Sequence, residues 1–520
     1  MPRKSTIPVP RGGELFSPKF APQKSGFSLK RGLEIGVGGG QCLRMHHRIR
    51  IFMACLPAFV ASARAGETHL AQGLLAGEAT HSAVILQTRL TAAPGLVDGD
   101  VPGSEGSARF EISESPDFQN PRLTPWMDAS ADADFIIKTR VDSLKPATSY
   151  HYRVIHGADR DQPQTSAAAT FKTLPAPGQS SAVDFVMLSC LNYAFFQNGQ
   201  GARPPAAPED RALGYPALEA IHRLAPGFVI LNGDCVYYDH PWNTRAKTPS
   251  ELRKKWHEQY VMPRFVKLFA TTPTYWLKDD HDHRYNDSDP TGDLEPSHAL
   301  GIATFREQVP VTDPLAPAAP TYRTHRIGRD LQVWFVEGRD HRSPNDMPDG
   351  PEKSLWGAEQ RAWLQRTLLE SDATFKILVS PTPMIGPDDG YKKDNHANLK
   401  GFHHEGRAFI EWLGQNGIRP DQFAILCGDR HWKYHSIDPS GYSEFSCGAL
   451  NHENSRLGRV PGDPKSNDPD ARIRQPYTDK PASGGFLQVR LTPAASSSPA
   501  SLEIILHDAA GNALHTHKMR

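Results

Sequence analysis

The pattern of apolar and polar positions divides the chain into two predicted regions with different folds. From about residue 80 to residue 173, short β-prone runs such as 82–89, 108–112 and 134–141 are separated by turn-rich stretches. Apolar runs at this spacing are typical of a β-sandwich. The Pro-, Gly- and Ser-rich stretch 175–181 then predicts a linker.

After the linker, short apolar runs alternate with segments of helical periodicity. The run 183–188 predicts a buried strand, 215–224 a helix and 228–231 a second strand. Such alternation predicts an α/β domain. The same pattern then predicts strands at 274–277, 331–336, 375–379 and 423–426, helices at 357–369 and 407–416, and a terminal hairpin from 485–491 and 501–507.

Composition and charge exclude several classes of protein. Apolar residues make up 38% and charged residues 22%, which is ordinary for a globular protein. Basic and acidic side chains tie at 58 each, but residues 1–65 hold 11 basic and 2 acidic ones, which leaves the rest with a net charge of −9. That sign argues against nonspecific nucleic-acid binding, so we expect no nucleic-acid partner. No apolar stretch reaches the roughly 20 residues that span a bilayer, so we expect no transmembrane anchor.

The N-terminal segment predicts export. A basic stretch after Met45, an apolar run at 51–61 and a small-x-small sequence at 63–65 are typical of a signal peptide. We interpret residues 45–65 as a signal peptide, with translation starting at Met45, and residues 1–44 as a disordered tail or an upstream artefact. The mature protein would then be periplasmic or extracellular. The alternative is a buried or interfacial apolar helix.

Four cysteines lie beyond this segment, at Cys190, Cys235, Cys427 and Cys447. Each ends or follows a short apolar run, which is the setting of a strand end in a core. Buried free thiols are common in such places, so we predict no disulfide framework.

Side chains that can bind metals follow four of the predicted strands. They fall in the segments 188–192, 231–239, 277–287 and 426–431 and include Asp, His, Tyr and Cys. Strand ends of an α/β sheet line one edge, where ligands bind. Several carboxylates in one cleft are costly unless a cation compensates their charge. Each segment alone also fits a turn, a solvated loop or a core thiol, but the four together predict a metal site.

The order of these motifs resembles that of the calcineurin-like metallophosphoesterases, and most closely that of the alkaline phosphatase D family. That family shows Ser-Cys, Gly-Asp-x-x-Tyr, Asp-Asp-His-Glu/Asp and Gly-Asp-x-His after successive strands. This chain carries the four motifs at 189–190, 233–237, 279–282 and 428–431. Residues 357–364 also resemble the family's Gly-x-Glu-Gln-x-x-Trp-Leu helix.

Two details qualify the resemblance, which covers roughly residues 75–515. Arg339 and Arg342 resemble the family's Asp-x-Arg-x-x-Arg strand end, but Glu337 stands where the family usually has Asp. The Asn that follows the third motif is also shifted, so that Asn286 takes its place. The role of these two positions is therefore open.

The resemblance implies an α/β fold with a four-layer metallophosphoesterase β-sandwich flanked by helices. The catalytic domain would span residues 182–515, preceded at 75–174 by a small all-β sandwich domain like fibronectin type III. Residues 144–154 resemble the late strand of such a module, in which a Tyr hydroxyl bonds back to the preceding loop. Tyr150 or Tyr152 would have that role.

By this resemblance, the site holds more than one metal ion. A thiolate, a carboxylate, a phenolate and an imidazole would hold ferric iron (Fe³⁺), namely Cys190, Asp234, Tyr237 and His431. Thiolate and phenolate suit ferric iron and are poor donors for calcium. Oxygen donors would hold calcium (Ca²⁺) or another divalent ion such as zinc, manganese or magnesium, with Asp234 bridging, namely Asp280, Asp429 and Asn286.

The resemblance also implies how the site would act. A hydroxide between the metals would attack phosphorus in line, while the cations neutralise the phosphoryl oxygens. His281 would contact the phosphate and protonate the leaving oxygen. Arg339 would bind a phosphate oxygen or have a structural role. The polar segment 391–398 would either reach over the cleft or form a solvated loop.

We therefore expect an exported phosphoesterase that acts on small phosphate mono- or diesters. Two alternatives remain open. One is a cell-surface binding module with a vestigial metal site, and the other is a metallohydrolase of a different ester. The sequence does not indicate an oligomeric state.

Overall fold

The computed structural model describes residues 67–496 and 498–520. The predicted tail at 1–44 and the predicted signal peptide at 45–65 lie outside the described residues. Within the described part, no helix combines the length and the apolar character that a membrane crossing requires.

The described chain consists mainly of strands. In chain order they are β1 (Leu74–Gly77), β2 (Val84–Arg89), β3 (Gly106–Ser113), β4 (Arg122–Leu123), β5 (Met127–Ala129), β6 (Ile136–Val141), β7 (Ser149–Gly157), β8 (Gln164–Thr165), β9 (Ala169–Lys172), β10 (Val183–Leu188), β11 (Phe228–Asn232), β12 (Thr274–Leu277), β13 (Arg323–Ile327), β14 (Leu331–Phe335), β15 (Phe375–Ser380), β16 (Phe423–Cys427), β17 (Lys433–Ile437), β18 (Ser443–Cys447), β19 (Arg474–Thr478), β20 (Gly485–Thr492), β21 (Ser501–Asp508) and β22 (Ala513–Met519). The α-helices are α1 (Tyr193–Asn198), α2 (Pro208–Leu213), α3 (Pro216–Leu224), α4 (Pro249–Tyr260), α5 (Pro263–Phe269), α6 (His298–Gln308), α7 (Gly357–Glu370) and α8 (His403–Gln415). Short 3₁₀ helices lie at Ala131–Ala133, Trp242–Thr244 and His452–Asn454.

Two large sheets form the centre of the protein. The first has the strand order β22-β21-β20-β10-β11-β12-β1-β2-β6, in which β10, β11 and β12 run parallel. The second has the order β13-β14-β15-β16-β18-β17-β19, in which β14, β15, β16 and β18 run parallel. Parallel neighbours need crossover connections. Most of the helices lie in these crossovers and cover the outer faces of the sheets.

Apolar side chains hold four layers together. Between the two sheets, Phe185 and Ile377 belong to one buried cluster. The outer face of the first sheet packs on α3, α4 and α5 through a cluster that includes Leu218. The outer face of the second sheet packs on α7 and α8 through Leu364 and Phe409. The result is a sandwich of two sheets flanked by helices on both sides.

The N-terminal strands form a smaller sandwich with a core of its own. β1, β2 and β6 face a third sheet of β3, β4, β5, β7, β8 and β9 across a cluster that contains Leu86 and Phe110. The Lys145 backbone N–H donates to the Tyr150 hydroxyl at 2.8 Å, so Tyr150 rather than Tyr152 bonds back to the preceding loop. Because β1 also pairs in parallel with β12, the sheet of this sandwich continues into the first large sheet.

The predicted elements are present, and the structure adds elements that the pattern did not indicate, among them α4, α6, β17 and β18. Helix α8 begins at His403 rather than at residue 407. Its first turns include Gly406, although glycine is a weak helix former. Glycine is needed there because a Cβ would lie 2.8 Å from the His396 side chain. The terminal hairpin gains a third strand, since β22 pairs with β21. The segment between β18 and β20 contains a strand, β19, that the sequence did not indicate.

Candidate metal centre

The four motifs meet where β10, β11, β12 and β16 end. Cys190, Asp234 and Asp429 follow their strands with φ angles of 58°, 53° and 60°, an uncommon left-handed conformation for residues other than glycine. The two sheets approach closely at Gly428, where a Cβ would lie 2.5 Å from the Asn232 carbonyl oxygen. Only glycine therefore lets the fourth motif reach the other three.

The first cluster consists of Cys190, Asp234, Tyr237 and His431. The ligand atoms of Cys190, Asp234 and His431 all lie within 4.8 Å of one another. Cys190 Sγ lies 3.5 Å from Asp234 Oδ2, and the Tyr237 hydroxyl donates to the same oxygen at 3.1 Å. The structure thus brings together the four residues that the sequence assigned to one metal ion.

Asn454 orients this first cluster. Its Nδ2 donates to the Tyr237 hydroxyl and to the Cys190 carbonyl oxygen, both at 3.0 Å. Its backbone carbonyl accepts from His431 Nδ1 at 2.9 Å. The proton therefore sits on Nδ1 of His431, which leaves the lone pair of Nε2 for a metal. Asn454 escaped prediction because it follows no strand.

The chemistry of the first cluster fits a bound cation. Asp234 Oδ1 is buried and has no hydrogen-bond partner, which is costly for a carboxylate oxygen. Burial and the Asp234 carboxylate raise the pKa values of the Cys190 thiol and the Tyr237 hydroxyl. Burial lowers the pKa of His431, so its imidazole is neutral, as a ligand must be. A cation would supply the missing partner and favour the ionised thiol and phenol.

A second cluster of carboxylates adjoins the first. Asp280 lies within 4.8 Å of the ligand atoms of Asp234 and His281, and separately of those of Asp287 and Asp394. Both carboxylate oxygens of Asp394 are buried without a hydrogen-bond partner. Oxygen donors of this kind suit a hard divalent cation. The sequence analysis did not single out Asp287 or Asp394 as ligands.

Asp429 and Asn286 complete the predicted ligand set. Asp429 is buried and pairs with Arg430, whose guanidinium also binds Asp388. The Asn286 backbone N–H donates to Asp239 at 3.0 Å, and the next residue, Asp287, is the one grouped with Asp280. Metal binding by Asp429 and by Asn286 stays a prediction.

His281 stands beside the carboxylates of both clusters. Its Nδ1 donates to Asp239 Oδ1 at 2.7 Å, and its ring stacks on Tyr237 at 4.1 Å between centroids. Burial opposes the charged imidazole, but the carboxylates of Asp239 and Asp280 outweigh it and raise the pKa of His281 well above its usual value. The arrangement favours a protonated His281.

Arg339 is completely buried and bound to other protein groups. Its Nε donates to Asp279 Oδ1 and a terminal amino group donates to the Ser288 carbonyl oxygen, both at 2.7 Å. It also lies 3.9 Å from Asp280 Oδ1. These contacts hold the Asp279-Asp280 turn in place, and a contact between Arg339 and phosphate stays a prediction. Glu337, the departure from the family pattern, binds Lys278 Nζ at 2.6 Å.

Comparison with known proteins places this site in a family. The family model described as PhoD-like phosphatase matches residues 185–492, and the model of that family's N-terminal domain matches residues 54–175. The chain belongs to the PhoD-like phosphatase family. The resemblance inferred from the four motifs is thereby confirmed.

Individual relatives agree with the family match. Alkaline phosphatase D of Bacillus subtilis (strain 168) is 23% identical over 401 residues, a match that covers 69% of this chain and 64% of that relative. A solved structure entitled "Structure of PhoD" matches with a TM-score of 0.65 and 17% identity over 86% of this chain and 88% of the other. The purple acid phosphatase PPD1 from yellow lupin (Lupinus luteus) seeds matches with a TM-score of 0.54 and 13% identity over 86% and 73% of the two chains. These structures confirm the predicted four-layer fold.

The polar segment 391–398 reaches the site. Lys392 Nζ lies 2.6 Å from Asp287 Oδ1 and 3.9 Å from Asp394 Oδ1. The side chains of Asn395 and Asn398 donate to Asp388 at 3.0 and 2.8 Å and so fix the segment. Of the two interpretations of this segment, the structure favours the loop that borders the cleft.

Proposed function

We propose that the protein is an exported metal-dependent phosphoesterase that hydrolyses small phosphate mono- or diesters. The observation that carries the proposal is the convergence of Cys190, Asp234, Asp280 and His431, with buried carboxylate oxygens that no protein group satisfies. Without cations, the negative charge of the buried carboxylates in such a cleft is not compensated. The family match and the two structural matches support phosphate esters as the substrate class.

Two metal positions follow from the donor atoms. The softer set suits ferric iron and consists of Cys190, Asp234, Tyr237 and His431. The harder set suits calcium or another divalent ion. It groups Asp280 with Asp234, and separately with Asp287 and Asp394, and Asp429 and Asn286 are the predicted further ligands. Bound cations would supply positive charge for the phosphoryl oxygens and make a water molecule more acidic.

His281 is the proposed general acid. Asp239 accepts its Nδ1–H, which fixes the ring and leaves Nε2–H to protonate the leaving oxygen. Arg339 is the proposed positioning residue for Asp280, since it binds the preceding Asp279. A direct contact between Arg339 and a phosphate oxygen stays a prediction.

The position of the clusters argues against a binding module with a vestigial site. In the described part of the chain, the groups of side chains suited to metal binding lie between residues 190 and 431, outside the N-terminal sandwich. Asp234, Asp280, His281, Asp429 and His431 are all intact. The remaining alternative, hydrolysis of a different ester, needs a direct test of substrates.

The test compares Asp234→Asn with the unchanged protein. We expect the purified protein to contain stoichiometric metal and to hydrolyse p-nitrophenyl phosphate or bis(p-nitrophenyl) phosphate until a chelator is added. Asp234→Asn should lose metal and at least about 100-fold in kcat, since Asp234 would belong to both proposed ligand sets. Asp372→Asn, at a side chain with 91% exposure, is the matched control. Hydrolysis of carboxylic esters but of neither phosphate ester would contradict the proposal.

Export needs its own experiment. Expression of the full chain in a Gram-negative host should place the protein outside the cytoplasm, and sequencing of its mature N-terminus should begin after Ala65. A protein that stays in the cytoplasm with residues 45–65 attached would refute this part of the proposal and leave the phosphoesterase function standing.

A further inference from the structure

His240 is a polar side chain beside the metal centre to which the proposed chemistry assigns no role. Its ring centroid lies 5.2 Å from that of His281. One ring nitrogen of each histidine and a carboxylate oxygen of Asp239 lie within 4.8 Å of one another. The side chain of His240 is 24% exposed and that of His281 is 6% exposed. His240 is therefore the more solvent-accessible of the two histidines, and we place the alcohol part of a substrate on that side.

The hydrogen bonds of Asn192 determine which ring nitrogen of His240 carries the proton. Asn192 Oδ1 accepts the Phe195 backbone N–H at 3.1 Å and caps helix α1. The amide orientation is thereby set, so Nδ2 is the group that donates to His240 Nδ1 at 2.6 Å. Since Nδ1 accepts, the proton of the neutral ring is on Nε2.

The ring of His240 is also held in one orientation. It packs between Phe195 and Tyr237, at 4.7 and 5.1 Å between ring centroids. Lys255 Nζ donates to the His240 carbonyl oxygen at 2.8 Å and fixes the backbone. The position of the Nε2–H group is thus determined before any substrate binds, which lowers the entropic cost of using it.

Nothing in the described residues accepts a hydrogen bond from this Nε2–H group. Asp239 Oδ2 lies 4.0 Å away, which is too far for a hydrogen bond. The site therefore offers a neutral donor, fixed in direction and open to solvent, next to the proposed general acid.

We propose that His240 is a specificity residue that donates from Nε2 to a hydroxyl group on the alcohol part of the phosphate ester. The inference rests on the proposed phosphoesterase function and adds a substrate class to it, namely esters of polyhydroxy alcohols. In the proposed chemistry, His281 faces the leaving oxygen. The Nε2–H group of His240 is nearer to solvent, so it would contact atoms a few bonds beyond that oxygen. A hydroxyl group there would satisfy the donor, whereas a methyl group would leave it unpaired.

The test uses two esters of equal length, 2-hydroxyethyl phosphate and propyl phosphate. We expect the unchanged protein to favour the hydroxylated ester by about fivefold in kcat/KM, the size of one neutral hydrogen bond. His240→Phe keeps an aromatic ring in the stack but has no donor, so the ratio should fall about fivefold, to the value that the two alcohols give without this hydrogen bond. His240→Gln can present an amide N–H near the same place and should restore part of the ratio.

The ratio separates specificity from general damage, because a loss of metal or folding lowers both rates together. A preference that persists in His240→Phe, or no preference in the unchanged protein despite turnover of p-nitrophenyl phosphate, would overturn the role of His240 alone. Failure of the unchanged, metal-loaded protein to hydrolyse any phosphate ester would overturn the proposed function and this inference with it.

Discussion

Asn454 is the residue through which three predicted ligands of the first metal position are oriented. It contacts Tyr237, Cys190 and His431 by separate hydrogen bonds. We expect Asn454→Ala to weaken metal binding at this position by about 10- to 100-fold, because groups that orient metal ligands contribute that much to affinity. Metal content after dialysis against a graded series of chelator concentrations measures the loss.

The exposed Asn416 at the end of α8 provides the control for this experiment. Asn416→Ala should retain metal like the unchanged protein. If Asn454→Ala also keeps its metal across the whole chelator series, the three hydrogen bonds do not contribute to metal affinity, and the prediction is wrong.

The same residues show how far the sequence predicts the site. Cys190 and Asp429 were found because each follows an apolar run, so that the strand places it at the sheet edge. Asp287, Asp394 and Asn454 were missed because loops carry them to the site, and no periodicity of a loop reveals where it will pack. Their positions depend on contacts between distant segments, such as the pair of Lys392 and Asp287.

At the scale of elements, Lys138 on β6 of the small sandwich caps the C-terminal end of helix α6. Lys138 Nζ donates to the carbonyl oxygens of Arg306, Glu307 and Val309 at 2.9, 3.2 and 2.7 Å. The last carbonyls of a helix have no partner within the helix. Lys138→Met should therefore lower the free energy of unfolding by about 1–3 kcal/mol, as measured by denaturant titration.

Lys172→Met is the matched control, since Lys172 is an exposed lysine on β9. This variant should unfold with the same midpoint as the unchanged protein. Equal midpoints for both variants would mean that water satisfies the end of α6 when Lys138 is removed.

Some of the elements that the apolar pattern missed have polar sequences. Strand β17 has the sequence Lys-Tyr-His-Ser-Ile and is buried throughout. Lys433 is tolerated there because its Nζ lies 3.0 Å from Asp479 and donates to the Ser483 carbonyl oxygen at 2.6 Å. Partners 46 and 50 residues away satisfy this strand, and no local window of sequence contains them.

At the scale of the whole molecule, an ionic contact joins the small sandwich to the helical layer. Asp134 accepts from His257 Nε2 of α4 at 2.7 Å and from Arg89 at 3.0 Å. Burial opposes the charge of Asp134, but these partners lower its pKa to about 2. A carboxyl group with a lowered pKa adds stability above its unfolded pKa, and the gain is lost as the pH falls through the folded pKa. The gain at neutral pH is about 2 kcal/mol.

We expect Asp134→Asn to be less stable than the unchanged protein at pH 7, with the difference shrinking as the pH falls from 4 towards 2. Urea titrations across this pH range measure the difference. Asp117→Asn, at an exposed position of the same sandwich, should show no such pH-dependent gap. If the difference in stability between Asp134→Asn and the unchanged protein stays constant down to pH 2, the charge of the Asp134 carboxylate contributes nothing to stability.

The metal centre links the stability of the whole molecule to its cations. Asp234, Asp280 and Asp394 crowd one buried cleft, and burial together with Asp280 raises the pKa of Asp234.

With metal bound, Asp234→Asn should melt below the unchanged protein, because metal at 100 times its Kd adds about 2.7 kcal/mol to stability. After chelation the order should reverse, because the variant has one buried acidic group fewer. Differential scanning calorimetry with and without chelator measures both melting temperatures, with Asp372→Asn as control. Unchanged melting of the original protein after complete metal removal would show that the crowded carboxylates impose no cost, and the electrostatic account of the site would fail.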